Sequence, residues 1–298
     1  MKSIAIIGNI ASLGYLIGKE LRNRGFQVEH YCTYNVFTAM PEEKYMIKLD
    51  KVYNIPFERT MRKFWLRNAK SYDLELRLSA PRYVKSKNSV IIFNGSDLRD
   101  GFMKPEQRCF ITTKDLYRFV EGYEAEFLPR CIDTALFKER TDGKVWREGE
   151  PLVIGHFPTE KRIKGTNLVL EAVERLKLKG HDCSLLSEIV PHERMPDYLS
   201  KVHVLCDWFG EGIFGIIAIE ALAMGIPVVC YVKEEYFDYP EIKNLIVNCQ
   251  PDAESIAEAI LHAAKMEVNS RKAKELYSPH HTVDVLLKTL DKWKMLNG

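Results

Sequence analysis

No run of eighteen apolar residues occurs anywhere in the 298-residue chain, so nothing in it reads as a membrane-spanning helix. An Asp-x-Asp pair is absent, and His192 and His280-His281 have no third ligand at metal spacing; no metal is implied. Internal repeats and low-complexity tracts are also missing, which argues against a repeat architecture. The seven cysteines are odd in number and scattered, several of them inside apolar runs such as Val202–Cys206 and Pro227–Cys230. That is how reduced, buried thiols of a cytoplasmic protein are used, and it argues against a disulfide framework or a zinc site. After the first apolar run, Gly8-Asn9-Ile10-Ala11-Ser12-Leu13-Gly14 lacks the central glycine of a dinucleotide-binding loop, so a nicotinamide cofactor is not supported. The same run is broken at Gly8-Asn9 and followed by a charged amphipathic stretch. It reads as strand, loop and helix rather than as a signal peptide.

What is present is the balance of a soluble globular protein, with 46% hydrophobic and 28% charged residues. The net charge of +2 conceals an asymmetry. Residues 1–150 carry 26 basic against 20 acidic side chains, and the remainder 17 against 21. A basic first half points to an anionic partner on that side. No aromatic–basic signature accompanies it, so nucleic acid is not expected. The segment 57–70, with five basic residues among Phe57, Met61, Phe64 and Trp65, reads as an amphipathic helix. It would either bury its apolar face in the core or rest on the inner face of an anionic membrane.

Short apolar runs alternate with amphipathic helical stretches from end to end, the pattern of parallel sheet with crossover helices. Strands are expected at Ile4–Gly8, Gln27–Tyr31, Leu74–Leu78, Ser89–Asn94 and Cys109–Thr112, with a helix over Leu13–Arg24. A polar stretch from Pro129 to Gly149 suggests two domains, 1–148 and 149–281. In the second, strands are expected at Leu152–His156, Cys183–Ile189, Val202–Cys206, Pro227–Val232 and Asn244–Asn248. Helices are expected at Thr166–Lys179, Ile216–Met224 and Ala253–Ala264. A final amphipathic helix, 282–296, has no strand after it. Two such Rossmann-like halves make a cleft the default ligand site.

The most informative stretch is DWFGEGIFGIIAIEALAMGIPVVCYV, Asp207–Val232. It combines a strand end, a turn with Gly210, Gly212 and Gly215, a helix containing Glu220, and a second strand. Glycines at such a turn let backbone amides approach a phosphate, and the helix N-terminus adds partial positive charge. Glu220 could accept both hydroxyls of a ribose. An ordinary βα turn, with Glu220 capping or pairing locally, would read the same way from spacing alone.

GIFGIIAIEALAMGIPVV resembles the signature E-G-F-G-(x)4-E-A-(M/L)-A-x-G-x-P-V-(V/I) of retaining GT-B glycosyltransferases, in the large family usually numbered four. Three further stretches are similar to that family in the same order. FLPRCIDTALF, Phe127–Phe137, resembles its I-P-N-G-V-D-T-x-x-F, and His156–Thr159 with Lys164-Gly165 resembles its K-G phosphate loop. Asn94-Gly95-Ser96-Asp97-Leu98-Arg99 resembles its H-G-S-D-x-R loop. The resemblance spans nearly the whole chain, and four ordered matches are more specific than any one.

It implies an α/β GT-B fold, with the acceptor on the first domain and a nucleotide-sugar on the second. The final helix would cross back onto the first domain. Glu220 would hold the nucleotide ribose, Lys164 would neutralise the diphosphate, and Phe214, Gly215 and Ile216 would present the donor loop. Gly8 would belong to the loop closing on both substrates, unless it and Gly14 merely serve a tight turn. Asn94, Asp97 and Arg99 would lie on the acceptor side. Three positions depart from the family pattern. Its first glutamate falls at Gly212, with Glu211 one residue away as the substitute. The basic partner of Lys164 could be His156, Lys161 or Arg162, of which Arg162 is taken. Asn94 stands where the family has histidine, and it cannot shuttle a proton.

The expected activity is transfer of a hexose from a UDP- or GDP-linked donor to a glycan or lipid-linked acceptor, with retention, in polysaccharide biosynthesis. No separate cofactor is expected, because the nucleotide-sugar is a substrate. The alternative is a catalytically degenerate GT-B protein that binds nucleotide or glycan without turnover.

Overall fold

The computed structural model describes residues 2–32, 46–48, 70–140 and 145–296. The chain divides into two compact units, Met1–Cys131 with Ser278–Gly298, and Ile132–Tyr277. The expected amphipathic segment at 57–70 lies outside the described residues, apart from Lys70. No helix among the described residues is long and apolar enough to cross a membrane.

The first unit is built on a seven-stranded parallel sheet. Its strands are β1 (Ser3–Ile7), β2 (Gln27–Cys32), β3 (Met46–Lys48), β4 (Ser71–Leu78), β5 (Lys85–Phe93), β6 (Arg108–Ile111) and β7 (Glu124–Phe127), in the order β3-β2-β1-β4-β5-β6-β7. From Ile4 to Ile7, β1 is apolar because both faces of the sheet are covered. Ile4 and Ile6 pack with Leu16 and Ile17 of helix α1 (Leu13–Asn23), whereas Ala5 and Ile7 pack with Tyr31, Tyr72 and Tyr83 on the other face. α1 stops where Gly25 takes φ +87°. There Gly25 N–H donates to Arg22 O (2.9 Å) and Phe26 N–H to Leu21 O (3.1 Å), which satisfies the last carbonyls in a Schellman turn. A short helix, α2 (Ser96–Arg99), follows β5.

The second unit is a five-stranded parallel sheet, ordered β12-β11-β10-β8-β9. It comprises β8 (Leu152–Gly155), α3 (Lys161–Lys164), α4 (Thr166–Leu178), β9 (Cys183–Leu186), α5 (Met195–Leu199), β10 (Val204–Cys206), α6 (Ile216–Ala223), β11 (Val228–Cys230), α7 (Pro240–Lys243), β12 (Ile246–Asn248), α8 (Ala253–Ala263) and α9 (Ser270–Leu276). Strand residues alternate between two cores. Leu205, Val228 and Cys230 join α6 and α9 on one face, and Val204, Cys206 and Val229 join α4 and α8 on the other. Apart from Glu220, α6 is apolar all round, and every residue from Ile217 to Ala223 is buried. Such a helix lies inside the protein.

Two sequence expectations shift. The division falls after Cys131, not at 148, because Ile132 and Phe137 are buried in the second unit's core and Ile132 N–H donates to Tyr277 O (3.0 Å). Two anchors in a polar stretch leave no periodic signal. The last helix, α10 (Pro279–Lys292), starts earlier than 282, because Ser278 Oγ caps His281 N–H (3.1 Å) with proline at the first helical position. Val283, Leu286, Leu290 and Trp293 bury it in the first unit's core, where Trp293 packs on Phe110 with ring centroids 4.9 Å apart.

His30, on β2, is fully buried and its Nε2–H donates to Gly8 O (2.7 Å). Burial pushes this imidazole down to about 4, with a smaller push from Arg22. The unfolded chain takes up the proton first, at about 6.5. His30 therefore withdraws up to roughly 3 kcal/mol of stability as pH falls from 7 to 4. His30→Gln keeps an N–H for Gly8 O and removes the titration. In thermal melts between pH 7 and 4, the variant should gain on the wild type as pH falls; parallel curves would disprove the assignment.

Candidate functional site

The residues singled out in the sequence separate into the two units. In the second they gather at the carboxyl ends of β8 and β10, the usual ligand position of open α/β sheets. Lys164 ends α3, and Asp207 follows β10 directly. Lys164 Nζ donates to Asp207 Oδ1 (2.7 Å) and lies 3.9 Å from the centroid of the Trp208 ring. The other oxygen of Asp207 accepts from the backbone N–H of Gly215, which precedes the first residue of α6. Lys164 is 12% exposed and Asp207 1%, so the pair is shielded from solvent.

Glycine is required at 215 by proximity. A Cβ there would stand 2.6 Å from Lys164 Nζ and about 3 Å from both Asp207 oxygens. At 212 the requirement is conformational, with φ +75°, and a Cβ would also meet Lys233 Cγ at 2.7 Å. The backbone at Gly212, where the resemblance places a glutamate, is therefore in a conformation that favours glycine. Glu211 stands exposed in the same loop, and the carboxylate that reaches the start of α6 is that of Asp207.

Glu220 sits in the second turn of α6 and is 4% exposed. Burial, and then the nearby Asp207 charge, push its carboxyl up to about 8. Its Oε1 lies 3.7 Å from Nδ1 of His192, which opens the turn before α5. The His192 ring meets Phe137 edge-on at 5.5 Å, and its Nε2 is buried with no hydrogen-bond partner among the described residues. Burial lowers its pKa, opposed by Asp133 and Glu193. Asp207 and His192 are the site residues that sequence reasoning missed. Asp207 had a readable signal, a lone acid closing an apolar strand, whereas His192 comes from a segment with no motif.

The other expected residues fall elsewhere. His156 follows β8 and is 1% exposed, with Nδ1 2.9 Å from Cys206 O and Nε2 2.9 Å from Thr166 Oγ1. A carbonyl can only accept, so Nδ1 carries the proton, and burial holds the ring neutral. Arg162 is exposed on α3, where its backbone N–H donates to Glu160 Oε1 (3.3 Å). Phe214 is a core residue packed near Phe237, while Ile216 begins α6, half-buried.

In the first unit, Gly8 donates its N–H to Tyr31 O (2.8 Å) and has φ +88°. Asp97 accepts from Gly95 N–H (2.7 Å), from Asn94 N–H (3.4 Å) and from Ser79 Oγ. Arg99 is held by Asp115 through two bonds of 2.6 and 3.0 Å. Asp97 and Arg99 thus organise their own loop. Asn94 is half-buried, with Thr112 Oγ1 3.3 Å from its Oδ1.

No protein-family model and no curated protein sequence matches the chain. Solved structures do. Over 100% of both chains it is similar to a sucrose-phosphate synthase from Thermosynechococcus elongatus, at 16% identity and a TM-score of 0.68. Over 98% of this chain and 99% of the other it is similar to a trehalose-6-phosphate synthase, at 11% identity and a TM-score of 0.56. A UDP-GlcNAc 2-epimerase from Neisseria meningitidis matches at 12% identity and a TM-score of 0.52, over 98% of each chain. At these identities the likeness is one of fold, and that fold is GT-B: two Rossmann-like units, each with a parallel sheet. Fold alone does not select the chemistry.

The raised Glu220 carboxyl has a consequence for stability. Folded, it keeps its proton to about pH 8; unfolded, it loses it near 4.5. Stability from this group is complete below 4.5 and declines as pH rises, by roughly 4 kcal/mol at pH 8. Glu220→Gln, neutral and of equal size, should melt close to the wild type at pH 5 and several degrees above it at pH 8. A gap that does not widen with pH would show that Glu220 is not held protonated.

Proposed function

We propose that the chain is a glycosyltransferase that moves a sugar from a nucleotide-sugar to an acceptor hydroxyl. The observation that carries this reading is the convergence, in one unit, of a shielded lysine, the amide end of a buried helix and a carboxyl group set in that helix's second turn. A diphosphate needs the first two and a ribose diol the third. Support also comes from the solved structures of the same fold. One is named for sucrose-phosphate synthesis, and the trehalose-6-phosphate synthase is described in terms of glycosyl transfer with retention. The epimerase was solved with UDP-GlcNAc bound, so a uridine nucleotide-sugar suits the fold.

In this reading the Glu220 carboxyl hydrogen-bonds the ribose hydroxyls, and Lys164 with the first amides of α6, from Ile216 onward, faces the diphosphate. The acceptor oxygen attacks the anomeric carbon on the face that the diphosphate leaves. Its proton passes to the departing phosphate oxygen, and the charge left on the diphosphate is stabilised by Lys164 and the helix end. The configuration is retained. The donor is UDP- or GDP-linked, and the acceptor is a glycan or a lipid-linked sugar of polysaccharide biosynthesis on the cytoplasmic side. Gly8 and Asn94 stand at strand ends of the acceptor unit.

Calorimetric titration with UDP, GDP and ADP tests this directly. One diphosphate should bind, and Glu220→Ala should weaken it about tenfold, since it removes two hydrogen bonds from a neutral carboxyl, each worth about 0.5–1.5 kcal/mol. Binding of none, or binding indifferent to Glu220, would refute the site. Binding without sugar transfer to any acceptor would instead identify a degenerate binding protein.

A further inference from the structure

The two donors assigned to the diphosphate already hold an anion. Asp207 takes the ammonium of Lys164 at 2.7 Å and, on its other oxygen, the N–H of Gly215 at the mouth of α6. A carboxylate and a phosphate oxygen use the same kind of donors in the same geometry. The carboxylate is part of the protein, 1% exposed, and delivered by the rigid end of β10. It competes at a high effective concentration, which no free anion at ordinary levels matches. Nor does His156 tip the local balance toward positive charge. It lies close enough to Lys164 and Asp207 to feel both, yet its Nδ1–H is spent on Cys206 O and the ring stays neutral. The charges of Lys164 and Asp207 therefore match each other before any ligand arrives.

We propose that Asp207 is a specificity-determining residue of this site: its carboxylate competes with phosphate oxygens for Lys164 and the start of α6. Small anions are thereby turned away, and a ligand enters only when its other parts add enough binding to displace the carboxylate from Lys164. This placement rests on the glycosyltransferase reading for where the diphosphate lies. Displacement leaves Asp207 beside the incoming phosphates, and like charges a few ångströms apart in a shielded site repel strongly. A nucleoside diphosphate can offset that through its ribose at Glu220, whereas inorganic pyrophosphate cannot. Asp207 thus weakens binding of the diphosphate itself and makes recognition depend on the nucleoside.

Asp207→Asn separates competition from support. The amide oxygen still accepts from Gly215 N–H, so the loop keeps its anchor, while the charge opposing Lys164 is gone. Wild type and variant, matched by thermal melts, are titrated calorimetrically with inorganic pyrophosphate and with UDP and GDP at one salt concentration. The variant should bind pyrophosphate at least tenfold more tightly and should lose part of the wild type's preference for nucleotide over pyrophosphate. Adding Lys164→Gln to Asp207→Asn should abolish the gain. Pyrophosphate affinity that is unchanged or weaker in Asp207→Asn would overturn the proposal and leave Asp207 as a support for Lys164. A gain that survives Lys164→Gln would overturn it also, by placing the anion elsewhere. If Asp207→Asn melts far below the wild type, Asp207→Ser supplies the same comparison with a shorter neutral side chain. The two readings fail separately. A Glu220-dependent nucleotide site with no pyrophosphate gain defeats only the competition. A pyrophosphate gain without nucleotide binding in either protein supports the competition and defeats the nucleotide assignment.

Discussion

The second unit is organised around one buried ion pair, Lys164 with Asp207, and the backbone N–H of Gly215 that the same carboxylate accepts. A carboxylate this shielded needs partners in the resting protein, since an isolated buried charge is costly. Its partners therefore have to come to it. Lys164 is brought by the turn that ends α3, with Gly165 following in the left-handed region. Gly215 is brought by a loop whose glycines admit a close approach. The interaction ties together the ends of β8's crossover, β10 and α6, and its negative charge adds to the burial that keeps Glu220 protonated.

The two units treat their strand ends differently. In the first, polar groups beyond β5 are satisfied within the loop: Asp97 by Gly95, Asn94 and Ser79, and Arg99 by Asp115. Such a loop is held in shape before any partner arrives. Left-handed backbone at Gly8, Ala11, Ser12 and Ser79 lies at the carboxyl ends of β1 and β4. Three of these are non-glycine residues, a conformation that persists only where surrounding packing enforces it. In the second unit, polar groups are paired yet not all satisfied. Glu220 and His192 lie just beyond hydrogen-bonding distance, and His192 Nε2 is buried without an acceptor or donor among the described residues. Unsatisfied polar groups of this kind are uncommon in a packed interior, and an ordered water or a ligand can complete such a network.

Much of the fold was legible in the residues. The alternation of apolar runs and amphipathic stretches specifies parallel αβ units because a strand covered on both faces must be apolar throughout, as Ile4–Ile7 and Val228–Cys230 are. Elements without that signature escaped notice: the half-buried edge strand β7, EAEF, and helix α9, whose residues alternate in charge and apolarity without a clear stripe. Ile132 and Phe137 draw a polar connection into the second core, and no local rule shows that two anchors suffice.

By itself the sequence determined two Rossmann-like units, the turn at Gly210, Gly212 and Gly215, and the placement of Glu220 on the apolar helix that follows. Those are consequences of local pattern, because periodicity and glycine requirements act over a few residues. Only the tertiary structure decided what the charged groups near that helix do. It made Asp207, not Glu211, the carboxylate at the helix start, and turned His156 into a neutral structural imidazole. It also set His192, 28 residues before Glu220, opposite that carboxyl group. A side chain's protonation and partners depend on burial and on neighbours supplied by distant segments, and sequence spacing carries neither.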